Sequence, residues 1–474
     1  MSRPTCFPDG FLWGAATSAY QIEGSPLADG AGPSDWHEFS HRPGAIADGT
    51  NGDLVCDHYR RFEDDVGLMK ELGLNAYRFS VSWSRVLPEG RGRVNGRGLE
   101  FYQRLIDRLR ERDIQPHVTL FHWDLPLALA RRGGWAWRDC AGWFADYAQH
   151  MFRALGDRVS FWATLNEPWV VVDAGYVSGS HPPGRIAPRD APHVAHNLLR
   201  GHALAVQAFR AAPHAGQIGL VVNLEPKHPA SSSPEDVHAA ARASAYMNEL
   251  FLDPVLRGRY SERLPQIVGG DWPEFSEEDL RLIAEPVDFI GVNYYSRSVT
   301  RHDPGRPPAC ASAVRQAGAE HTAMGWEVFP RGLTEILCWV TSRYGRRPIH
   351  ITENGAAFED PPPEGGSVDD PRRVAYYHRH LRAALEALAA GVDLRGYFAW
   401  SFLDNFEWSH GTSKRFGLVH VDYATQRRTL KRSASFYRDV IASRGAALCG
   451  DGILGLAEAD EQSHLLSCGP PDPA

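Results

Sequence analysis

Residues 159–168 read Val-Ser-Phe-Trp-Ala-Thr-Leu-Asn-Glu-Pro. The apolar, aromatic and β-branched run from Val159 to Leu165 suits a buried strand, and a polar triplet ending in proline stops it. The chain repeats this pattern. Comparable runs occupy 11–17, 74–81, 114–120, 218–224, 287–293, 348–352 and 394–401, with stretches of helical period between them. Within 99–112, Phe101, Leu105 and Leu109 fall four apart on one helical face, as do Trp143, Tyr147 and Met151 in the next such segment. Asp370-Pro371 reads as an N-cap with proline at the first helical position, and Gly391 closes that helix. Gly345 closes 332–344 in the same way. Alternating strands and helices point to an α/β protein with a parallel sheet. Eight such units fit a (β/α)8 TIM barrel, with a doubly wound open sheet as the alternative that pattern alone admits.

Length and composition narrow the choice. For 474 residues, a prior of ~150 residues per domain gives about three domains, yet no change of composition divides the chain. The expectation is a single-domain barrel over 1–445, lengthened by βα loops in the Pro/Gly-rich stretches 178–192, 303–320 and 359–370. Residues 446–474 read as a C-terminal tail with no assigned function. An apolar fraction of 43% with 23% charged residues is ordinary for a globular protein. Fifty basic against 58 acidic residues leave −8, which argues against a partner made of nucleic acid phosphates. Asp9, Gly10 and Gly14 interrupt the first twenty residues, which do not read as a signal peptide. No run approaches the ~20 apolar residues that cross a bilayer, so no membrane partner is expected. The cysteines at 6, 56, 140, 310, 338, 449 and 468 are odd in number and scattered. Without Cys-x-x-Cys pairs they favour neither a disulfide framework nor a zinc site, and a pairing of Cys449 with Cys468 is disfavoured. A soluble, reduced, cytoplasmic protein is expected. Its oligomeric state is not legible.

The informative residues are those that follow each strand. Gln21 and Glu23 come after the first; Arg78 lies in the second. His122-Trp123-Asp124 follows the third, and Asn166-Glu167-Pro168 the fourth. Asn293-Tyr294-Tyr295 closes the sixth and Glu353-Asn354-Gly355 the seventh. The eighth carries Trp400 and leads into Asp404-Asn405-Phe406-Glu407-Trp408. Carboxyl ends of barrel strands are where such folds carry catalytic groups. Alone, Glu167 reads as a solvated loop residue, Asn354-Gly355 as a common turn, His122 as a core histidine and Trp400 as barrel packing. Register changes this. Glu167 and Glu353 follow strands four and seven, which face each other across a barrel mouth, and two carboxyl groups flanking one bond are what glycoside hydrolysis requires.

At this point the motifs resemble glycoside hydrolase family 1, the β-glucosidase family, from Phe7 to about Tyr437. They include Phe11-x-Trp13-Gly14 through Gln21-Ile22-Glu23-Gly24, Tyr77-Arg78-Phe79-Ser80, and Thr119 through Pro126. Thr164 through Pro168, Asn293 through Ser296, Thr352 through Gly355, Trp400 through Trp408 and Lys414-Arg415-Phe416-Gly417 complete the order. The resemblance implies a (β/α)8 barrel and retaining hydrolysis of β-linked sugars, with glucose favoured and galactose or fucose open. It makes Glu353 the nucleophile and Glu167 the acid/base, with Arg78 and Tyr295 holding Glu353 ionised. A cation nearby lowers a carboxyl pKa, whereas the acid must have its pKa raised. Gln21, His122, Asn166, Glu407 and Trp408 are expected to hold sugar hydroxyls above Trp400. Trp123, Asn293, Trp326 and Phe416 line the remaining wall. The implied partners are small β-glycosides or short β-linked oligosaccharides. No metal or organic cofactor is implied, since two carboxyls suffice.

Two positions depart from the family pattern: Thr412 stands where tyrosine is usual, and Pro182 where alanine is common. Glu407 sits where phospho-β-glycosidases carry serine, and an anion there would repel a phosphate. Plant thioglucosidases replace the acid/base with glutamine, against Glu167 here. A sugar-binding protein without catalysis would tolerate loss of a carboxyl, yet both are present. A doubly wound oxidoreductase lacks its Gly-x-Gly-x-x-Gly after the first strand.

Overall fold

The computed structural model describes residues 6–212, 215–449 and 468. Its eight central strands are β1 (Leu12–Ala16), β2 (Ala76–Ser80), β3 (Gln115–Phe121), β4 (Phe161–Asn166), β5 (Gln217–Asn223), β6 (Phe289–Asn293), β7 (Ile349–Asn354) and β8 (Leu394–Trp400). Each overlaps one of the eight runs read from sequence. All pair in parallel in the order β1-β8-β7-β6-β5-β4-β3-β2, and the ring closes because β1 pairs with both ends. Gly14 stands opposite Ala76 on one side, and Leu12 opposite Gly396 on the other. Closure rules out the doubly wound sheet and gives a (β/α)8 barrel.

The helices pack outside as their periodicity requires. Gly96–Glu111 buries Phe101, Leu105 and Leu109, and Cys140–Leu155 buries Tyr147 and Met151. Pro371–Ala389 starts after Asp370, whose carboxylate accepts from Ser433 and Arg373 instead of capping its own helix. Gly345 ends Arg331–Tyr344 with φ of 79°. The three Pro/Gly-rich stretches lie in βα connections; the second contributes Ala311–Ala313 to a small sheet whose other strands, Lys227–Pro229 and Ser298–His302, lie outside it. Of the predicted tail, Ala446–Cys449 form a short 3₁₀ turn, and all but Cys468 of the remainder lies outside the described residues. Cys468 Sγ lies 2.8 Å from Cys338 Sγ; the Cys449 side chain, whose pairing with Cys468 the sequence disfavours, lies outside the described residues.

Inside the barrel, a layer of rings fills the space beneath the carboxyl ends. His117 stacks on Phe161 at 5.7 Å, Phe289 stacks on His350 at 4.7 Å, and Phe398 meets His117 edge-on at 5.2 Å. Gly14 makes room for this layer, because a Cβ there would stand 2.3 Å from the Phe398 ring. Burial keeps both histidines neutral: His350 falls to about 3 and His117 well below its ordinary range. Among the described residues no helix is long and apolar enough to cross a membrane.

Candidate active site

The carboxyl ends of the strands hold almost every residue singled out from sequence. Register slips locally at two of them, between Ala163 and Asn166 in β4 and between Ile351 and Glu353 in β7. Such irregularities re-aim side chains at a barrel rim. Glu167 follows with φ of 45°, a left-handed conformation that a non-glycine residue adopts at a cost of about 1–3 kcal/mol. Pro168 then opens the helix Pro168–Val172. Trp123 and Trp408 share the left-handed region, at 80° and 45°. Three left-handed non-glycine residues thus stand at this mouth, though others, such as Asp113 and Arg444, do not belong to it.

The two glutamates are both buried, at 6% exposure for Glu167 and 3% for Glu353, but their neighbours differ. Arg78 Nη1 donates to Glu353 Oε1 at 2.6 Å, and the Tyr295 hydroxyl donates to its Oε2 at 2.6 Å. Glu167 Oε1 accepts from the neutral amide of Asn293 at 2.6 Å. Burial pushes Glu353 above its ordinary range, and Arg78 with Tyr295 pull it back down. Glu167 is pushed up to about 8, first by burial and then by the Glu353 charge, with Asn293 only partly offsetting them. Coulomb energy at such short range in a dry site separates two otherwise identical groups. Asn166 connects them. Its Oδ1 accepts from Arg78 Nη2 at 2.6 Å and from Asn293 at 3.1 Å, and Asn293 in turn accepts from Thr352 Oγ1 at 2.7 Å.

Around this pair lies an aromatic and polar wall. Asn166 Nδ2 donates to His122 Nε2 at 3.0 Å, which leaves the ring proton on Nδ1, a buried atom without a protein partner. Burial and Arg78 keep His122 neutral. His122 stacks on Trp400 and on Trp408, each at 5.9 Å, and Trp123 meets Trp408 at 4.6 Å. Opposite, Tyr295 packs on Trp326 at 5.1 Å and on Phe416 at 6.2 Å. Gln21 is wholly buried, donating to Asn405 Oδ1 and the Phe406 carbonyl. Glu407 is 8% exposed, with Oε2 unpartnered, and burial beside Glu353 raises it to about 8. Just past β7, Gly355 packs against the end of β8, where a Cβ would sit 1.7 Å from the Trp400 carbonyl oxygen.

The profile of Glycosyl hydrolase family 1 matches residues 3–446. The chain belongs to glycoside hydrolase family 1. It is 49% identical over 440 residues to "Beta-glucosidase A" of Thermotoga maritima, covering 93% of this chain and 98% of that one. It is 48% identical over 440 residues to "1,4-beta-D-glucan glucohydrolase" of Thermotoga neapolitana, covering 93% and 99%. The solved Thermotoga maritima β-glucosidase in complex with glucoimidazole superposes with a TM-score of 0.90 at 49% identity, covering 93% of this chain and 100% of that one. Like them, this family 1 member is a glycoside hydrolase.

Two groups of residues escaped the sequence reading of this family 1 site. Asp404, within a quoted motif, is a buried anchor: it accepts from Lys431 at 2.6 Å, from Arg415 at 2.8 Å and from the Gly417 amide at 2.9 Å, fixing the loop that carries Glu407. A cavity of about 530 Å³ shares Trp326 with the site and is also lined by Trp169, Glu225, Lys227, Tyr246 and Arg297. The position of Trp169, directly after Asn166-Glu167-Pro168, was the available signal. Thr412, one of the two departures, donates through its amide to Asp48 at 2.7 Å and thereby ties residues 48–50 to the Glu407 loop. The other, Pro182, is buried next to His181, whose ring packs on Trp36 and Trp123. His196 and Asn197 sit outside the site, bound to Tyr260 with Asp279 and to the Trp135 carbonyl.

Proposed function

We propose that the protein is a retaining β-glucosidase. It releases terminal non-reducing β-D-glucosyl residues from small β-glycosides and short β-linked oligosaccharides through a covalent glycosyl-enzyme intermediate. The observation that carries this reading is the unequal setting of two buried carboxyls: Glu353 held by Arg78 and Tyr295, and Glu167 held by a neutral amide and raised to about 8. Glu353 attacks the anomeric carbon while Glu167 gives its proton to the leaving oxygen; the glycosidic bond breaks as the ester forms. Esterification removes the Glu353 charge, and with it one cause of the raised Glu167 pKa. Glu167 then takes a proton from water, whose oxygen attacks the same carbon and expels Glu353.

The ring would rest on Trp400. Asn166 would meet the 2-hydroxyl, and His122 Nδ1 and Glu407 Oε2 are buried atoms whose free valences suit hydroxyls. Gln21 and Trp408 supply the rest of this sugar subsite, with Trp123, Asn293, Trp326 and Phe416 as its walls. The names of the relatives support glucose as the sugar. The described cysteines are thiols, in keeping with a cytoplasmic setting. Hydrolysis of p-nitrophenyl β-glucoside but not its α-anomer, with β-glucose appearing first by proton NMR, is the expected result. α-Glucose as first product would overturn the retaining assignment, and no turnover across a panel of β-glucoside, β-galactoside, β-fucoside and cello-oligosaccharides would overturn the activity itself.

A further inference from the structure

Residues 37–41 read His-Glu-Phe-Ser-His, on and just beyond the helix Asp35–Ser40. Histidines four apart share one helical face, the spacing by which metallopeptidases hold zinc. The loop that follows returns Asp53 to the same face. His41 Nε2 lies 3.0 Å from Asp53 Oδ2, and His37 Nδ1 lies 3.4 Å from Asp53 Oδ1. The three ligand atoms all lie within 4.8 Å of one another. Donor atoms around a tetrahedral ion at ~2.0–2.1 Å stand roughly 3.3–3.5 Å apart, so small side-chain rotations would complete the set.

Two further details point to a cation. His41 Nδ1 lies 2.6 Å from the His37 carbonyl oxygen, so that nitrogen is held by the backbone and Nε2 is the ring atom that faces Asp53. A backbone carbonyl on the far nitrogen is also how metal-binding histidines are oriented. His37 Nδ1 is buried and makes no hydrogen bond. Both histidines thus aim a nitrogen at the same carboxylate, and the Asn51 amide, 3.3 Å from His41 Nε2, would have to give way to an ion.

We propose that His37, His41 and Asp53 form a binding site for a divalent first-row cation of the zinc class. The site is structural. Glu38, where a metallopeptidase keeps its general base, is committed to Arg42 at 2.9 Å and to Arg131 at 2.7 Å. Between His41 and Asp53 the chain carries Asp48 and Thr50, which hold Thr412, and Ala47, whose amide donates to the Ser409 carbonyl at 2.9 Å. An ion here would brace this loop behind Glu407 and Trp408.

The test uses the full chain, stripped with chelator and titrated with zinc chloride by calorimetry, with cobalt(II) absorption as a second probe. One equivalent of zinc should bind at micromolar concentration and raise the thermal midpoint by a few degrees at a hundredfold excess over the dissociation constant. Asp53→Asn and His37→Ala should each weaken binding by more than the ~10–100-fold that loss of an outer-sphere partner costs. Circular dichroism of both variants, and His41→Gln as a third, guards against misfolding. No stoichiometric uptake by the wild type, or uptake unchanged in all three variants, would overturn the proposal.

Discussion

Beneath the rim, His117, Phe161, Phe289 and His350 fill the barrel with neutral rings; three to five residues further along the same strands stand His122, Asn166, Asn293 and Glu353. Both layers are largely closed to water, with only Phe161 half-buried. The lower one is satisfied by packing and holds its histidines uncharged. The upper one buries Arg78 against Glu353 and leaves Glu167 protonated near neutrality. Burial by itself therefore does not make a site. What separates the layers is a single guanidinium placed on one carboxyl and withheld from the other.

Removing the charge at Glu353 should give the largest effect. Glu353→Gln is expected to lower kcat on any β-glucoside by at least about 10⁴-fold, measured against p-nitrophenyl β-glucoside, since the attacking group itself is gone. Glu353→Gly with azide should form the α-glucosyl azide. Next comes the acid. Glu167→Gln should cost about 10²–10⁴-fold with poor leaving groups and much less with activated aryl ones. In the wild type, kcat/KM should fall as pH rises through about 8, because Glu167 must be protonated to act. That alkaline limb should flatten in Glu167→Gln and persist in Glu407→Gln, although Glu407 is also raised to about 8. Glu407→Gln should instead lower kcat/KM by about 2- to 10-fold, in line with about 0.5–1.5 kcal/mol for a hydrogen bond between neutral groups.

The lower layer should answer in a different observable. Phe289→Ala is expected to cost about 3–5 kcal/mol in urea unfolding while leaving turnover per folded molecule close to wild type. Equal losses of activity and stability there would erase the distinction between the layers. Smallest of all, Thr412→Ala removes a side-chain bond to Asp48 but keeps the backbone one at 2.7 Å, and should shift stability by no more than about 1 kcal/mol.

The strands were legible because β-branched and aromatic runs of seven residues, spaced by helices of period 3.6, leave few architectures open. Both carboxyls were legible because each follows its strand directly. The unequal pKa values were legible only in direction: Arg78 was expected beside Glu353, but burial raises both groups, and only their different hydrogen-bond partners order them. Asp404 read as part of a motif and not as an anchor, because Lys431 and Arg415 reach it from 27 and 11 residues away. The cluster of His37, His41 and Asp53 was not legible for a related reason: the two histidines meet Asp53 only when the loop folds back.

The near contact of Gly355 with the Trp400 carbonyl leaves no slack between Glu353, the proposed nucleophile, and Trp400, the proposed floor of the sugar subsite. Anyone reshaping this enzyme by directed evolution would find these two properties inherited together. A library that varies position 400 or its neighbours to admit another sugar will shift the strand end bearing Glu353 as well. New specificity is then expected to arrive with slower chemistry, and recovery to come from second substitutions in β7, not from the sugar pocket.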